Sequence, residues 1–251
     1  MEINKINLKK HIELYLIGDT HFPRGKLEKF KTVIDEIKNN PDALVIGLGD
    51  WIEGIIPGDP RYNPEESNQM LDEQWEIFEK HIEPIKNKII GLHSGNHGGN
   101  VIKRYSMNEL RKICKRISCR YLGDGTSLFE LCYDDKTILL QTSHGIGGGT
   151  SAGHAYNKLD YASRNFADMD IVANGHTHKL GVNVSIAPLE LVDGMLKQKV
   201  QYHCSCGSFL TNYELGVASY GERKGYAPLP LGYIKVIIND GIITHVIPVP
   251  V

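Results

Sequence analysis

Five short apolar runs, residues 14–17, 44–48, 89–92, 138–140 and 171–173, punctuate the first two thirds of the chain. Runs of this length read as buried strands, since a helix needs about ten residues or more. Between them the apolar spacing becomes helical. Leu27, Phe30, Ile34 and Ile37 form one stripe, ending before Asn40 and Pro41. Leu71, Trp75, Phe78 and Ile82 form a second, opened by Asn63 and Pro64 and broken near Pro84. A third helix is predicted from a capping box of Ser106 and Glu109, with Tyr105 and Leu110 as a hydrophobic staple; it buries Leu110, Ile113 and Ile117. Strands alternating with helices imply a layered α/β fold. Past residue 178, Asp193-Gly194 and Asp240-Gly241 each separate two β-rich runs, the signal of hairpins, so the C-terminal third is predicted to complete a second sheet.

Composition changes this picture little. With 251 residues and 41% hydrophobic content the chain can bury a sizeable core, and no composition break divides it, so one domain over residues 1–251 is expected. Residues 1–10 are polar and the longest apolar runs are strand-sized, which predicts neither signal peptide nor membrane span and places the protein in the cytoplasm. The five cysteines lack paired metal-binding spacing and are expected as reduced thiols; Cys204 and Cys206 alternate with Ser205 as packed strand residues do. A net charge of −2 gives no global attraction to nucleic acid or membrane.

The residues just after each apolar run carry the chemistry. In chain order these are Gly18-Asp19-Thr20-His21, Gly49-Asp50, Gly95-Asn96-His97, His144-Gly145 and Gly175-His176-Thr177-His178. The C-terminal ends of strands in an open α/β sheet converge on one crevice, so residues far apart in sequence can meet there. Two cations roughly 3.5–4 Å apart need ligands for each and one shared group. A carboxylate bridges and an imidazole does not, so Asp50 is the expected bridge, with Asp19, His21 and His178 on one metal and Asn96, His144 and His176 on the other. Such a pair lowers the pKa of a water toward about 7 and neutralises phosphoryl oxygens, which makes phosphoester hydrolysis the natural reaction. Nitrogen and oxygen donors without thiolate suit Mn, Fe, Zn, Ni or Co.

These five motifs, in this order, resemble those of the calcineurin-like metallophosphoesterase superfamily, over Asp19 to His178. The resemblance implies a two-sheet β-sandwich flanked by helices, with the metals at one edge. It also implies that His97 is not a principal ligand but faces the substrate, stabilising the pentavalent transition state or protonating the leaving oxygen. The family motif commonly continues with Asp or Glu, where this chain has Gly98 and Gly99. Either another carboxylate, Asp124 being a candidate, replaces it, or His97 acts as a neutral donor. The superfamily's protein serine/threonine phosphatases carry an Arg shortly after the second motif; here Trp51, Ile52, Glu53 and Gly54 stand there, which argues against a phosphoprotein substrate.

Substrate contacts are less sharply marked. Arg111, Lys112, Lys115 and Arg116 on the third helix either hold a phosphate chain or form a solvated face whose cations favour the helix C-terminus. Gly145, Gly147, Gly148, Gly149, Thr150, Ser151 and Gly153 form a loop leading to His154, which either contacts substrate or opens a surface helix. The loop lacks a Walker ending and resembles that of phage-encoded metallophosphoesterases, which favours nucleic-acid or nucleotide substrates. Three readings stay open: a phosphodiesterase for nucleic acid or nucleotides, a phosphomonoesterase for a small ester, and a non-catalytic scaffold. The last would be expected to lose ligands or the catalytic His, and this chain keeps every position. His11, His81, His93, His203 and His245 lie outside these motifs and are expected as structural or exposed.

Overall fold

A computed structural model describes residues 3–59, 61–62, 69–147, 151–166, 168–186, 189–213, 216 and 219–251. The first half runs β1 (Ile3–Asn7), β2 (His11–Ile17), α1 (Leu27–Asn39), β3 (Ala43–Gly47), α2 (Leu71–Ile82), β4 (Ile89–His93), α3 (Gly95–Tyr105) and α4 (Glu109–Arg116). Then come β5 (Arg120–Gly123), β6 (Ser127–Tyr133), β7 (Lys136–Ser143), α5 (Ala152–Ser163), β8 (Ile171–Asn174) and β9 (Leu180–Ile186). The chain closes with β10 (Glu190–Val192), β11 (Met195–Lys197), β12 (Val200–Cys206), α6 (Tyr220–Arg223), β13 (Gly232–Asn239) and β14 (Ile242–Pro250).

Two six-stranded mixed sheets stack face to face, as the expected sandwich requires. The first has the order β14-β13-β2-β3-β4-β5 and the second β1-β6-β7-β8-β12-β9, while β10 and β11 form a separate hairpin. In β2 alternate residues serve two cores. Leu14 and Leu16 face Phe129, Leu140, Ile171 and Cys204 between the sheets, whereas Tyr15 and Ile17 face the layer of α1, α2 and α4. On the far side Leu159 of α5 packs on Val172 of the second sheet. All five cysteines are free, with Cys204 and Cys206 in the inter-sheet core as expected. Among the described residues no helix is long and apolar enough to cross a membrane.

The predicted α1 and the stop of α2 before Pro84 hold, and both Asp-Gly pairs turn hairpins with positive φ at Asp193, Gly194, Asp240 and Gly241. Four details differ. Asn63 and Pro64 lie outside the described residues, and α2 begins at Leu71, its first turn closed by Met70 N–H donating to Glu73 Oε2 at 2.8 Å. The predicted capping box does not form: Ser106, at φ 54°, ends α3, and Asn108 caps α4 by accepting from Arg111 N–H at 3.0 Å. The helix α3 itself gives no sequence signal, because Gly95, Gly98 and Gly99 mask its apolar spacing. The C-terminal strands are also divided, β9 and β12 joining the second sheet while β13 and β14 join the first.

Candidate metal centre

β2, β3 and β4 are parallel neighbours, as are β7 and β8, so the five motifs sit at the C-terminal ends of strands and at one edge of the sandwich. Asp19 and His21 follow β2, Asp50 follows β3, Asn96 and His97 open α3 after β4, His144 follows β7, and His176 and His178 lie between β8 and β9. All seven candidate ligands meet there. Carboxylate or imidazole atoms fall within 4.8 Å of one another in three trios: Asp19, His21 and His178; Asp50, His144 and His176; and His21, Asp50 and His97. Asp50 thus belongs to the second trio and is linked to the first through His21, with which it shares the third.

The local backbone is unusual. Asp19, His21, Asp50, His176 and His178 all have φ between 48° and 66°, a left-handed conformation that non-glycine residues seldom adopt. Such clustering marks sites where the surroundings over-determine the chain. The motif glycines make room for it. A Cβ on Gly95, at φ 76°, would lie 2.2 Å from Asp50 Oδ1, and one on Gly175 would lie 2.4 Å from Asp19 Oδ2.

On one side, His21 Nε2 and His178 Nε2 are 3.0 Å apart, and His178 Nε2 is 3.2 Å from Asp19 Oδ1. The main-chain N–H of His176 donates to both oxygens of Asp19, at 3.1 and 3.0 Å. On the other side, His144 donates from Nδ1 to the Leu48 carbonyl at 2.8 Å, which turns Nε2 to within 3.0 Å of Asp50 Oδ2 and 3.2 Å of His176 Nδ1. Asn96 Oδ1 lies 2.9 Å from His144 Nε2 and 2.7 Å from His176 Nδ1; turned over, its amide nitrogen would reach the same rings and Asp50 Oδ2. Acceptor lone pairs therefore converge on both sides of Asp50, an arrangement that calls for positive charge at each point.

Electrostatics agree. Burial disfavours charge on His21, but hydrogen bonds to Asp19 and Glu53 outweigh it and hold the ring up at about 10. Burial likewise opposes charge on His144, and the Asp50 carboxylate outweighs it, holding that ring up at about 9. Against their burial, Asp19 and Asp50 stay well below the usual carboxylate range because imidazoles surround them. A centre that drives its imidazoles to take protons fits a cation in their place, and oxygen and imidazole donors fit a divalent one.

Two side chains here are not legible as site residues in the sequence. Glu53, 7% exposed, accepts from His21 through Oε2 at 3.1 Å and from Arg24 through Oε1 at 3.3 Å. Its main-chain carbonyl accepts a hydrogen bond from Nδ1–H of His97. Asp124, the carboxylate considered for that task, is exposed in the turn after β5. Arg61 is gripped by Asp59 through Nε and Nη2, both at 3.0 Å, and donates from Nη1 to His97 Nε2 at 3.1 Å. His97 itself lies below the ordinary imidazole range, chiefly through burial, and is neutral at pH 7. Neither Glu53 nor Arg61 belongs to a metal-ligand motif, and only three-dimensional proximity reveals them.

A cleft of about 360 Å³ opens over the centre. His97, Arg61 and Glu53 line one side; Leu210, Tyr226 and Leu229, from the segment joining β12 to β13, line another. Gly147 reaches the cleft, while Gly148, Gly149 and Thr150 lie outside the described residues. His154, Arg111 and Lys115 are not among its lining residues. His154 sits in the first turn of α5, its N–H donating to the capping Ser151 hydroxyl at 3.2 Å. Arg111 and Lys115 are exposed on α4, where Arg116 pairs with Glu79 and Glu109, and Lys112 with Glu109. Of the histidines outside the motifs, His93 is buried with Nε2 2.9 Å from Thr142 Oγ1 and is pushed down to about 3 by that burial.

A family model described as calcineurin-like phosphoesterase matches residues 12–180. No curated protein sequence matches the chain. Among solved structures, wild-type Vps29 of Entamoeba histolytica in complex with zinc is similar at 15% identity and TM-score 0.45, over 96% of this chain and 98% of that one. Vacuolar protein sorting 29 of Cryptosporidium parvum is similar at 13% identity and TM-score 0.45, over 95% and 97%. GAP50, the anchor in the inner membrane complex of Plasmodium, is similar at 10% identity and TM-score 0.43, over 97% and 90%.

Proposed function

Since the chain belongs to the calcineurin-like phosphoesterase family and is therefore a metal-dependent phosphoesterase, we propose that it works with two divalent cations as a phosphodiesterase on nucleotides or nucleic-acid ends. The observation that carries the two-metal reading is that Asp50 shares one trio with His144 and His176 and another with His21. Asp19, His21 and His178 would hold one ion and Asn96, His144 and His176 the other, with Asp50 the residue able to serve both. Bound cations would polarise the phosphoryl group and supply a nucleophilic water at neutral pH.

The chain's own groups do the rest. Glu53 fixes His21 with its side chain and His97 with its carbonyl, so one residue sets the spacing between the ligand set and the leaving-group side. His97 Nε2 faces the cleft beside Arg61. With its proton on Nδ1, His97 presents a bare Nε2, and it would protonate a leaving oxygen only after taking up a proton there from cleft water, one that its burial makes it quick to pass on. Arg61, pre-set by Asp59, keeps a permanent positive charge where negative charge develops.

A volume of about 360 Å³ lies at the small end of ligand cavities and suits one nucleotide-sized group, with Leu210, Tyr226 and Leu229 against its less polar part. The cations of α4 are absent from the lining, so the cleft supports a terminal or free nucleotide over a tracked duplex. A monoesterase is the second reading, favoured by Arg61, whose guanidinium suits a dianion. A screen of metal-reconstituted protein against phosphomonoesters, phosphodiesters, cyclic and linear nucleotides and single- and double-stranded DNA and RNA tests this. Higher kcat/KM on nucleotide diesters is expected; preference for monoesters would overturn the diesterase reading.

A further inference from the structure

Among the described residues, Arg24, Arg61 and Lys179 are the permanent cations that line the cleft. Two of them are committed to carboxylates of the protein. Arg24 donates from Nη1 to Glu53 Oε1 at 3.3 Å, and Arg61 donates from Nη2 to Asp59 Oδ2 at 3.0 Å. Lys179 differs: among the described residues no carboxylate or other acceptor compensates its partly buried ammonium.

The fold holds this lysine firmly. Its carbonyl accepts from Gly207 N–H at 2.9 Å, which ties it to the end of β12 directly after the ligand His178. Leu180 and Val182 pack into the inter-sheet core, so by alternation Lys179 and Gly181 belong to the opposite face. Helix α5 covers that face, since a Cβ on Gly181 would lie 2.2 Å from Tyr156 Oη. The same helix brings up a second ammonium: a Cβ on Gly147, itself part of the cleft lining, would lie 3.0 Å from Lys158 Nζ. Positive charge thus gathers on a wall built from the second sheet and α5, whereas Arg61 and His97 come from the segments after β3 and β4 of the first.

An uncompensated ammonium in a cleft is completed by an anion from outside the chain. The scissile phosphate has the metal centre and the leaving oxygen has His97 and Arg61, so the anion is a further one. With room for one nucleotide-sized group, it lies one nucleoside away. Lysine takes phosphate as a point charge, without the fixed fork that arginine imposes. Resting on the nucleotide reading above, we propose that Lys179 determines specificity by binding a second phosphate, carried on the sugar of the nucleotide whose other phosphate sits at the centre. The substrate class is thereby narrowed to nucleic-acid or oligonucleotide ends. A cyclic nucleotide, with a single phosphate, leaves Lys179 without its counter-charge.

Two esters with the same leaving group test it on the metal-reconstituted full chain: thymidine 5′-(4-nitrophenyl phosphate) with and without a 3′-phosphate. In wild type the 3′-phosphate is expected to raise kcat/KM about 10- to 100-fold, through KM, as one charge-assisted contact does. Lys179→Gln should cut that ratio about 10-fold or more, and Lys179→Arg, which keeps the charge, should retain most of it. Equal losses on both esters in Lys179→Gln, a ratio that survives this change, or a wild type indifferent to the 3′-phosphate would overturn the proposal. A protein that hydrolyses nitrophenyl phosphate but neither diester defeats the diesterase reading instead. Lys179 is then judged by inhibition of that hydrolysis: thymidine 3′,5′-bisphosphate should inhibit at lower concentration than thymidine 5′-monophosphate in wild type and lose this advantage in Lys179→Gln. Equal inhibition of wild type by the two, or an advantage that Lys179→Gln keeps, would overturn the proposal on that side as well.

Discussion

His97 donates a hydrogen bond from Nδ1–H to the main-chain carbonyl of Glu53. A neutral peptide oxygen therefore does the orienting that a carboxylate after the motif would do, and it cannot be removed by exchanging a side chain. It fixes the tautomer, leaving Nε2 toward Arg61 and the cleft, without adding the negative charge that would hold the ring protonated.

His97→Ala should keep its metals and lose about 10² or more in turnover. The loss should shrink for esters of nitrophenol, which need little protonation of the leaving group. Steady-state kinetics over a leaving-group series, with metal content measured beside it, checks both parts; equal losses across the series would point to charge stabilisation instead.

Asp50→Asn should lower occupancy at both positions, whereas His144→Ala should empty mainly one. Inductively coupled plasma mass spectrometry on reconstituted protein reads this directly. Two full equivalents in Asp50→Asn would remove Asp50 from the bridge.

Glu53→Gln keeps the carbonyl that holds His97 but takes away the charge beside His21. Metal affinity should fall about 10- to 100-fold at the Asp19, His21 and His178 position. The leaving-group dependence should stay as in wild type. Calorimetric metal titration and the nitrophenol series separate these effects, and unchanged metal affinity would reduce Glu53 to a packing role.

In protein stripped of metal, His21 at about 10 and His144 at about 9 carry protons at pH 7. A cation must displace them, so metal affinity should rise with pH between about 6 and 8 and protons should be released on binding. The stability that these raised values confer on the stripped protein is fully present below the unfolded pKa near 6.5 and lost as pH rises through about 9 to 10. Glu53 acts in the opposite sense: held down at about 2, mainly by His21 against its own burial, it contributes stability above about 4.5 that disappears as pH falls toward 2. Titration in buffers of different ionisation enthalpy measures the proton release; none at pH 7 would contradict it.

The ligand set is legible in the sequence because every member follows a short apolar run, and such runs become parallel strands whose ends meet. Asp19, Asp50 and His144 need only that logic. Glu53 and Arg61 are not legible, since neither carries a pattern of its own and each matters only through what folding sets beside it, His21 in one case and His97 in both. Ser106 misleads for a physical reason: a Ser three residues before a Glu caps a helix when its backbone is extended, but here it is left-handed and terminates the preceding one. Sheet membership is equally hidden. The pairing of β1 with β6 joins segments far apart in the chain, Ile3 with Leu128 for one, and leaves no periodicity to read.

The left-handed backbone at Asp19, His21, Asp50, His176 and His178 has a consequence for how such a protein tolerates change. Each position costs about 1 kcal/mol or more to hold, and glycine would relieve it. Selection for heat resistance alone, with no demand for turnover, would therefore erode these positions first, and a relative that had given up hydrolysis would gain robustness by the same replacements that silenced it.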